Sequence, residues 1–353
     1  MEDDTMAFLD EIAQQGRVLR DLIEFYRGKK GDGLLTLAGR MASYRPRSIT
    51  FTGMGTSEFV PLTALDYLSD RCSAPVLVCE AGELLHYSID SIRDDDVVIA
   101  VSQSGESVET RGVVERLKNL RWLISVTNDS ESTMARRSQL DLQMIAGEEA
   151  SISNKTYTNS LALMLLLSRA LVLQEWAPLF DDLAAAADEM DAFMADRKPE
   201  IDEAAELLRD AQTVYFVSRG PAMAAARQAA LTFQEGSHVF TTALSGGSMR
   251  HGPFEIVGPG HYAVMFAPEG HGGDLVRSMA REMAELGSKV VLFTAVEVAG
   301  HGNMVGIVLR PGSPELFSLA CAVPQELLLT RMASDRGWTA GVFRRGGKIT
   351  ARE

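Results

Sequence analysis

The stretch "VSQSGESVET", residues 101–110, closes the apolar run Val97, Val98, Ile99 and Ala100 with a dense set of hydrogen-bonding side chains. Ser102, Gln103, Ser104 and Ser107 crowd around a single glycine, Gly105, and the chain then turns helical. A plain turn needs only one or two Gly, Asn or Asp residues. Where a strand of a parallel sheet gives way to a helix, free N–H groups and the positive end of the helix dipole favour an anion, and hydroxyls add neutral donors. Phosphate is the anion such a turn suits. "GMGTSEF" offers the same combination earlier in the chain, in Gly55, Thr56 and Ser57. No Lys or Arg lies within 102–110, so amides and hydroxyls would do the binding. The local alternative is helix capping by Ser102, Ser104 or Ser107. The turn taken alone leaves both open.

Ligands gather at the carboxyl ends of strands in open parallel sheets, so the elements around these turns matter. "SITFTGMGTSEFVPLTALDYL" reads as strand, glycine turn and helix, "DDVVIAVSQSGESVETRGVVERLKN" repeats that order, and "RWLISVTND" adds a strand. The second half has the same plan in "TVYFVSRGPAMAAARQAALTF", "HYAVMFAPEGHGGDLVRSMAREMAEL" and "KVVLFTAVE". Gly55 and Gly220 stand 165 residues apart, as do Val97 and Tyr262, and Leu123 and Val290 stand 167 apart. Register held over three elements predicts an internal duplication of an α/β unit, a parallel sheet with helices on both faces. The second copy has "APEGHGGD" where the first has "VSQSGESV", so one phosphate site per chain is expected. Residues 6–43 read as helical, and 179–210 as helices broken at Pro199; Pro253, Pro259, Pro311, Pro314 and Pro324 fall outside the best helical patterns.

With 353 residues and 46% hydrophobic composition, the chain has length enough for two ordinary cores. Its formal charge of −14 argues against nucleic acid and anionic membrane as partners, while a few oriented N–H groups still suffice for a small anion. Three cysteines and six histidines show no metal-ligand spacing, so no metal and no cofactor are expected. The acidic, amphipathic start "MEDDTMAFLDEIAQQ" is unlike a signal peptide, and no apolar run is long enough to span a bilayer; a cytoplasmic location is the expectation.

"SQSGES", "GMGTSEF" and "SISNKTYTNSLALMLLL" together resemble the sugar isomerase (SIS) domain family. The likeness is strongest to the isomerase half of glucosamine-6-phosphate synthase and to double-SIS aminosugar-phosphate deaminases and fructosamine-phosphate deglycases. The resemblance implies two tandem SIS domains, each a flavodoxin-like three-layer α/β/α unit. It places an N-terminal helical segment at 1–45, the first domain with its phosphate loop at 46–178 and a helical linker at 179–210. The second domain follows at 211–336, then a C-terminal tail, 337–353, that reaches the active site. Carried over by motif, Ser102, Gln103, Ser104, Ser107, Thr56 and Ser57 hold the phosphate of a sugar phosphate, and Ser153 and Gly55 contact the sugar. In "FQEGSHVFTTALSGGSMRHGPFE" the resemblance gives Glu235 the proton shuttle between C1 and C2, and gives His251 the opening of the ring. It has His251 reach the site from a neighbouring subunit, which implies a homodimer. Lys348, in "GVFRRGGKITARE", corresponds to the family's tail lysine beside the sugar carbonyl.

Two departures shape the expected activity. Thr232 and Gln228 stand where the synthase has a Lys and a Glu, stripping charge from the helix that bears Glu235. With its start at "MEDDTM", the chain is also expected to lack the synthase's glutaminase domain. The expected activity is therefore a phosphosugar isomerase-type enzyme, an aminosugar-6-phosphate deaminase/isomerase. A fructosamine-6-phosphate deglycase and a non-catalytic sugar-phosphate sensor are the alternatives. A nicotinamide-dependent oxidoreductase fails on "GMGTSEF", which has Glu58 where the dinucleotide fingerprint needs its third glycine.

Overall fold

A computed structural model describes residues 2–28, 31–345 and 347–348. The rest of the proposed tail, 346 and 349–353, lies outside the described residues. The described residues pack as two compact units: one of 17–28, 31–149, 155–184, 345 and 347–348, the other of 2–16, 150–154 and 185–344. Each unit thus takes in segments from more than one part of the chain.

Helices α1 (Glu2–Ala13) and α2 (Gln15–Arg27) open the chain, followed by α3 (Gly33–Met41). Then come β1 (Ile49–Gly53), α4 (Thr56–Phe59), α5 (Leu62–Arg71), β2 (Val76–Glu80) and the short α6 (Ala81–Glu83). The serine turn joins β3 (Val97–Val101) to α7 (Val108–Arg116), and β4 (Leu123–Thr127), α8 (Thr133–Arg137) and β5 (Leu140–Gln143) complete the sheet. Its strands lie in the order β2-β1-β3-β4-β5, all parallel. All five residues of β1, β3 and β4 are buried, as expected for inner strands covered by helices on both faces.

α9 (Lys155–Leu171) is buried along its whole length and packs against α3 and α5. Two of its polar side chains are held as follows. Asn159 donates from Nδ2 to the carbonyls of Val18 (3.0 Å) and Met144 (2.9 Å), and the Arg169 guanidinium lies 3.6 Å from the Tyr67 ring centre.

α10 (Leu179–Asp196) and α11 (Lys198–Leu207) follow, with Pro199 in the first turn of α11, where a missing N–H costs nothing. The second sheet is built from β6 (Thr213–Ser218), β7 (Phe240–Ser245), β8 (Tyr262–Ala267), β9 (Lys289–Thr294) and β10 (Met304–Val308). Read from β7 its order is β7-β6-β8-β9-β10, the same as the first sheet, and again all pairs are parallel. α12 (Met223–Ser237), α13 (Gly246–Arg250), α14 (His271–Glu285), α15 (Phe317–Ala320) and α16 (Ala322–Asp335) accompany it. Inner-strand phenylalanines Phe266 and Phe293 stack at 5.2 Å, and Phe216 meets Phe233 of α12 edge-on at 5.1 Å. The parallel α/β architecture and its repetition agree with the sequence. Pro324 does not: it is the third residue of α16, where proline needs no backbone donor. Among the described residues no helix is long and apolar enough to cross a membrane.

Candidate functional site

β1 and β3 are neighbours, with Thr52 opposite Ala100, so the turns that leave them emerge side by side from one edge of the sheet. This is the switch point of the 2-1-3-4-5 order, where the following connections part. In the serine turn the Ser102 N–H continues the ladder to the Val126 carbonyl (3.0 Å), and the Gly105 N–H folds back to the Ser102 carbonyl and hydroxyl, both 3.2 Å. The Asn128 N–H donates to the Gln103 carbonyl (3.0 Å) and the Met134 N–H to the Gly105 carbonyl (3.2 Å). The loop is therefore pinned from both sides by its own main chain.

Glu106 adds a side-chain anchor that the motif reading passed over. Its carboxylate accepts from the Thr133 N–H at 2.5 Å and pairs with Arg111 at 3.5 Å. Burial pushes the Glu106 carboxyl up, but the Thr133 and Arg111 contacts outweigh it and hold it below the usual carboxylate range. The charge that ties the loop down thus survives into mild acid.

Ser107 is the N-cap of α7, yet its side chain makes no capping bond; its hydroxyl lies 3.3 Å from that of Ser102. The Ser104 hydroxyl accepts from the Glu106 N–H at 3.2 Å, inside the turn. The N–H groups of Val108, Glu109 and Thr110 have no carbonyl one turn earlier in α7, because the helix begins at Val108. The turn so presents hydroxyls and helix-start amides together. In the neighbouring turn Gly55 adopts φ +53, and the half-buried Thr56 and Ser57 open α4. Two further hydroxyls at this end, those of Thr52 and Thr110, are buried without a hydrogen-bond partner among the described residues.

Lys348 lies in the same unit as this edge and is half-buried. It forms an ion pair with Glu149, whose side chain is fully buried and also accepts from the Thr156 N–H (2.9 Å) and hydroxyl (2.7 Å). Nothing in the sequence singles out Glu149.

Glu235, His251 and Ser153 belong to the other unit. Glu235 is half-buried on the last turns of α12, which ends where His238 takes the left-handed conformation, φ +53, and packs its ring edge-on to Trp338 at 4.7 Å. One and two turns earlier on that helix, Thr232 and Gln228 are buried. The Thr232 hydroxyl donates to the Gln228 carbonyl (3.1 Å), and the Gln228 amide donates to the Ser153 carbonyl (3.3 Å). A neutral pair fits this buried face, and it ties Ser153 to the helix of Glu235. His251 is exposed at the end of α13, its N–H bonded to the Ser248 carbonyl at 3.1 Å. Among the described residues no group of three His, Cys, Asp or Glu is arranged to hold a metal ion, and Cys72, Cys79 and Cys321 are free thiols.

Two parallel sheets of one order, with a hydroxyl-lined turn at the switch point of the first, agree with what known proteins show. The SIS domain pattern matches residues 44–173 and 207–298, and the chain belongs to the SIS domain family. It is 28% identical over 338 residues to the isomerizing glutamine–fructose-6-phosphate aminotransferase of Thermococcus kodakarensis, a match that takes in 93% of this chain and 55% of the relative. With the same enzyme of Bacillus subtilis the identity is 27%, at the same coverage. The chain spans about half the length of these curated relatives, 55% in each case. Among solved structures, the C-terminal domain of glucosamine-fructose-6-phosphate aminotransferase from Francisella tularensis superposes with a TM-score of 0.81. The identity is 22%, over 95% of this chain and 98% of that one. Glucosamine-6-phosphate deaminase of Thermotoga maritima gives 0.73 at 20% identity, over 97% and 99%. At such identities these superpositions speak for the fold.

Proposed function

We infer that the chain is a phosphosugar isomerase-type enzyme, and within that class an aminosugar-6-phosphate deaminase/isomerase. The observation that carries this reading is the serine turn, whose Ser107 hydroxyl is not spent on capping and whose helix-start amides stand beside it. Family membership and the relatives' names supply the substrate class.

In this reading Ser102, Gln103, Ser104 and Ser107, with Thr56 and Ser57, receive the phosphate, and Gly55 and Ser153 line the sugar. His251 of the partner subunit opens the ring, which makes the working form a homodimer. Glu235 takes the proton from C2 of the open aminoaldose and returns it at C1 through a cis-enolamine. The resulting ketimine adds water and releases ammonia, leaving the ketose phosphate. Lys348, steered by Glu149, attends the carbonyl end. The neutral Thr232 and Gln228 favour breakdown over the synthase's use of this chemistry.

The test is to incubate the protein with glucosamine 6-phosphate and with a fructosamine 6-phosphate, assaying ammonia, free amino acid and hexose phosphate. Glu235→Gln is run alongside. Ammonia from the first substrate, lost in the variant, is the expected result. Amino acid released from the second alone would instead mark a deglycase. Binding of either sugar, seen as a raised melting temperature, without turnover would mark a sensor.

A further inference from the structure

The second sheet has its own switch point, between β6 and β8, and the residues there differ in kind from the serine turn. β6 leads into Arg219 and Gly220, β7 into Gly246 and Gly247, and β8 through Glu269 and Gly270 into α14. A Cβ built on Gly246 would stand 2.7 Å from Arg219 Nε and 3.2 Å from its Cζ, so the guanidinium lies directly against a backbone that has no side chain there. A Cβ on Gly272, in the first turn of α14, would stand 3.8 Å from the Arg219 Cβ. The arginine therefore starts beside α14 and ends beside the turn after β7.

The position a Gly247 Cβ would take is 3.8 Å from Arg219 Nη1 and 3.7 Å from Ser245 Oγ, and the Ser245 and Ser248 hydroxyls are 2.9 Å apart. An oxygen placed near that position meets a guanidinium nitrogen and a hydroxyl at once. Two other arginines close to this switch point do have acceptors. Arg277 donates to the Ala267 and Pro268 carbonyls (3.0 and 2.8 Å) and to Asp274 (2.7 Å), and Arg250 pairs with Glu282. Arg219 has no carboxylate partner among the described residues, and its Nε is buried with no acceptor. A buried cationic donor left without an acceptor is unfavourable, and a bound anion removes that penalty.

We propose that Arg219, Ser245 and the Gly246–Gly247 backbone form a second anion site, one that takes a phosphate group or a similar tetrahedral oxyanion. Its chemistry complements that of the serine turn. The first uses amides and hydroxyls without a cation in the loop; this one uses a guanidinium fork, which presents parallel N–H donors to two oxygens. It replaces the expectation of a single site per chain.

Equilibrium dialysis of labelled inorganic phosphate against the full chain tests this directly. The wild type should bind about two phosphates per chain, and Arg219→Gln about one. Ser104→Ala should weaken the site that Arg219→Gln leaves. Gly247→Asp keeps Arg219 and sets a carboxylate against it, so it too should bind about one, and it carries the test if Arg219→Gln fails to fold. Repeating the dialysis with fructose 6-phosphate separates the source: about two per chain assigns the site to phosphate esters, about one to the free oxyanion. Phosphate binding that neither Arg219→Gln nor Gly247→Asp reduces, or no binding by the wild type, overturns the proposal; a single wild-type phosphate lost in Arg219→Gln would count against the serine turn alone.

Discussion

At Gly105 two constraints coincide: φ is +64, and a Cβ would stand 2.2 Å from the Ser132 hydroxyl, the group that caps α8. Gly105→Ala therefore has to strain the backbone and displace Ser132. A loss of about 1–3 kcal/mol in stability is expected, measured as a lowered urea midpoint, together with weaker binding of sugar phosphate. Wild-type binding in this variant would show that the turn's shape is immaterial. The contrast between Gly105 and Glu149 marks how far site residues could be read in the sequence. The serine turn is local, with its hydroxyls and glycine inside six consecutive positions, so composition alone exposes it. Glu149 meets Lys348 across 199 residues of chain, and Glu106 meets Thr133 across 27. Such pairs exist only after folding and leave no spacing signal.

Among the elements, the six strands legible in the sequence are the inner ones, β1, β3, β4, β6, β8 and β9, whose faces are both covered. The four outer strands, β2, β5, β7 and β10, are only partly buried, and "LDLQ" and "FTTALS" mix polar with apolar positions. Edge strands need less apolar sequence because one side has no strand neighbour, and they are correspondingly hard to read. Just before β8 sits His261, buried, with Nδ1 3.0 Å from the Ser288 hydroxyl and its ring beside Tyr215 at 5.0 Å. Burial depresses its pKa below the usual value of about 6.5. The neutral form is the one the fold prefers, so its contribution is complete above pH ~6.5 and is lost as pH falls from there through the folded pKa. Urea midpoints compared at about pH 7.5 and pH 5.5 should fall more for the wild type than for His261→Gln. Equal falls would refute this account of His261.

At the scale of the molecule, the shared strand order of the two sheets is what repeated register in the sequence predicts. The sheets keep their cores, while the turns at the strand ends carry hydroxyls in one half and a guanidinium in the other. The proposed homodimer makes a prediction that belongs to this scale. If His251 serves the partner's Glu235, mixing Glu235→Gln and His251→Ala chains after denaturation and refolding should restore about a quarter of wild-type activity, because one site in each mixed dimer is whole. No recovery would mean that both residues act within one chain.

The measurement that reaches the central claim is proton NMR of fructose 6-phosphate and of unphosphorylated fructose with the protein in heavy water. Deuterium should enter C1 of the phosphate ester alone, and Glu235→Gln should abolish the exchange. Equal exchange into both sugars, or exchange that survives in Glu235→Gln, would contradict that claim.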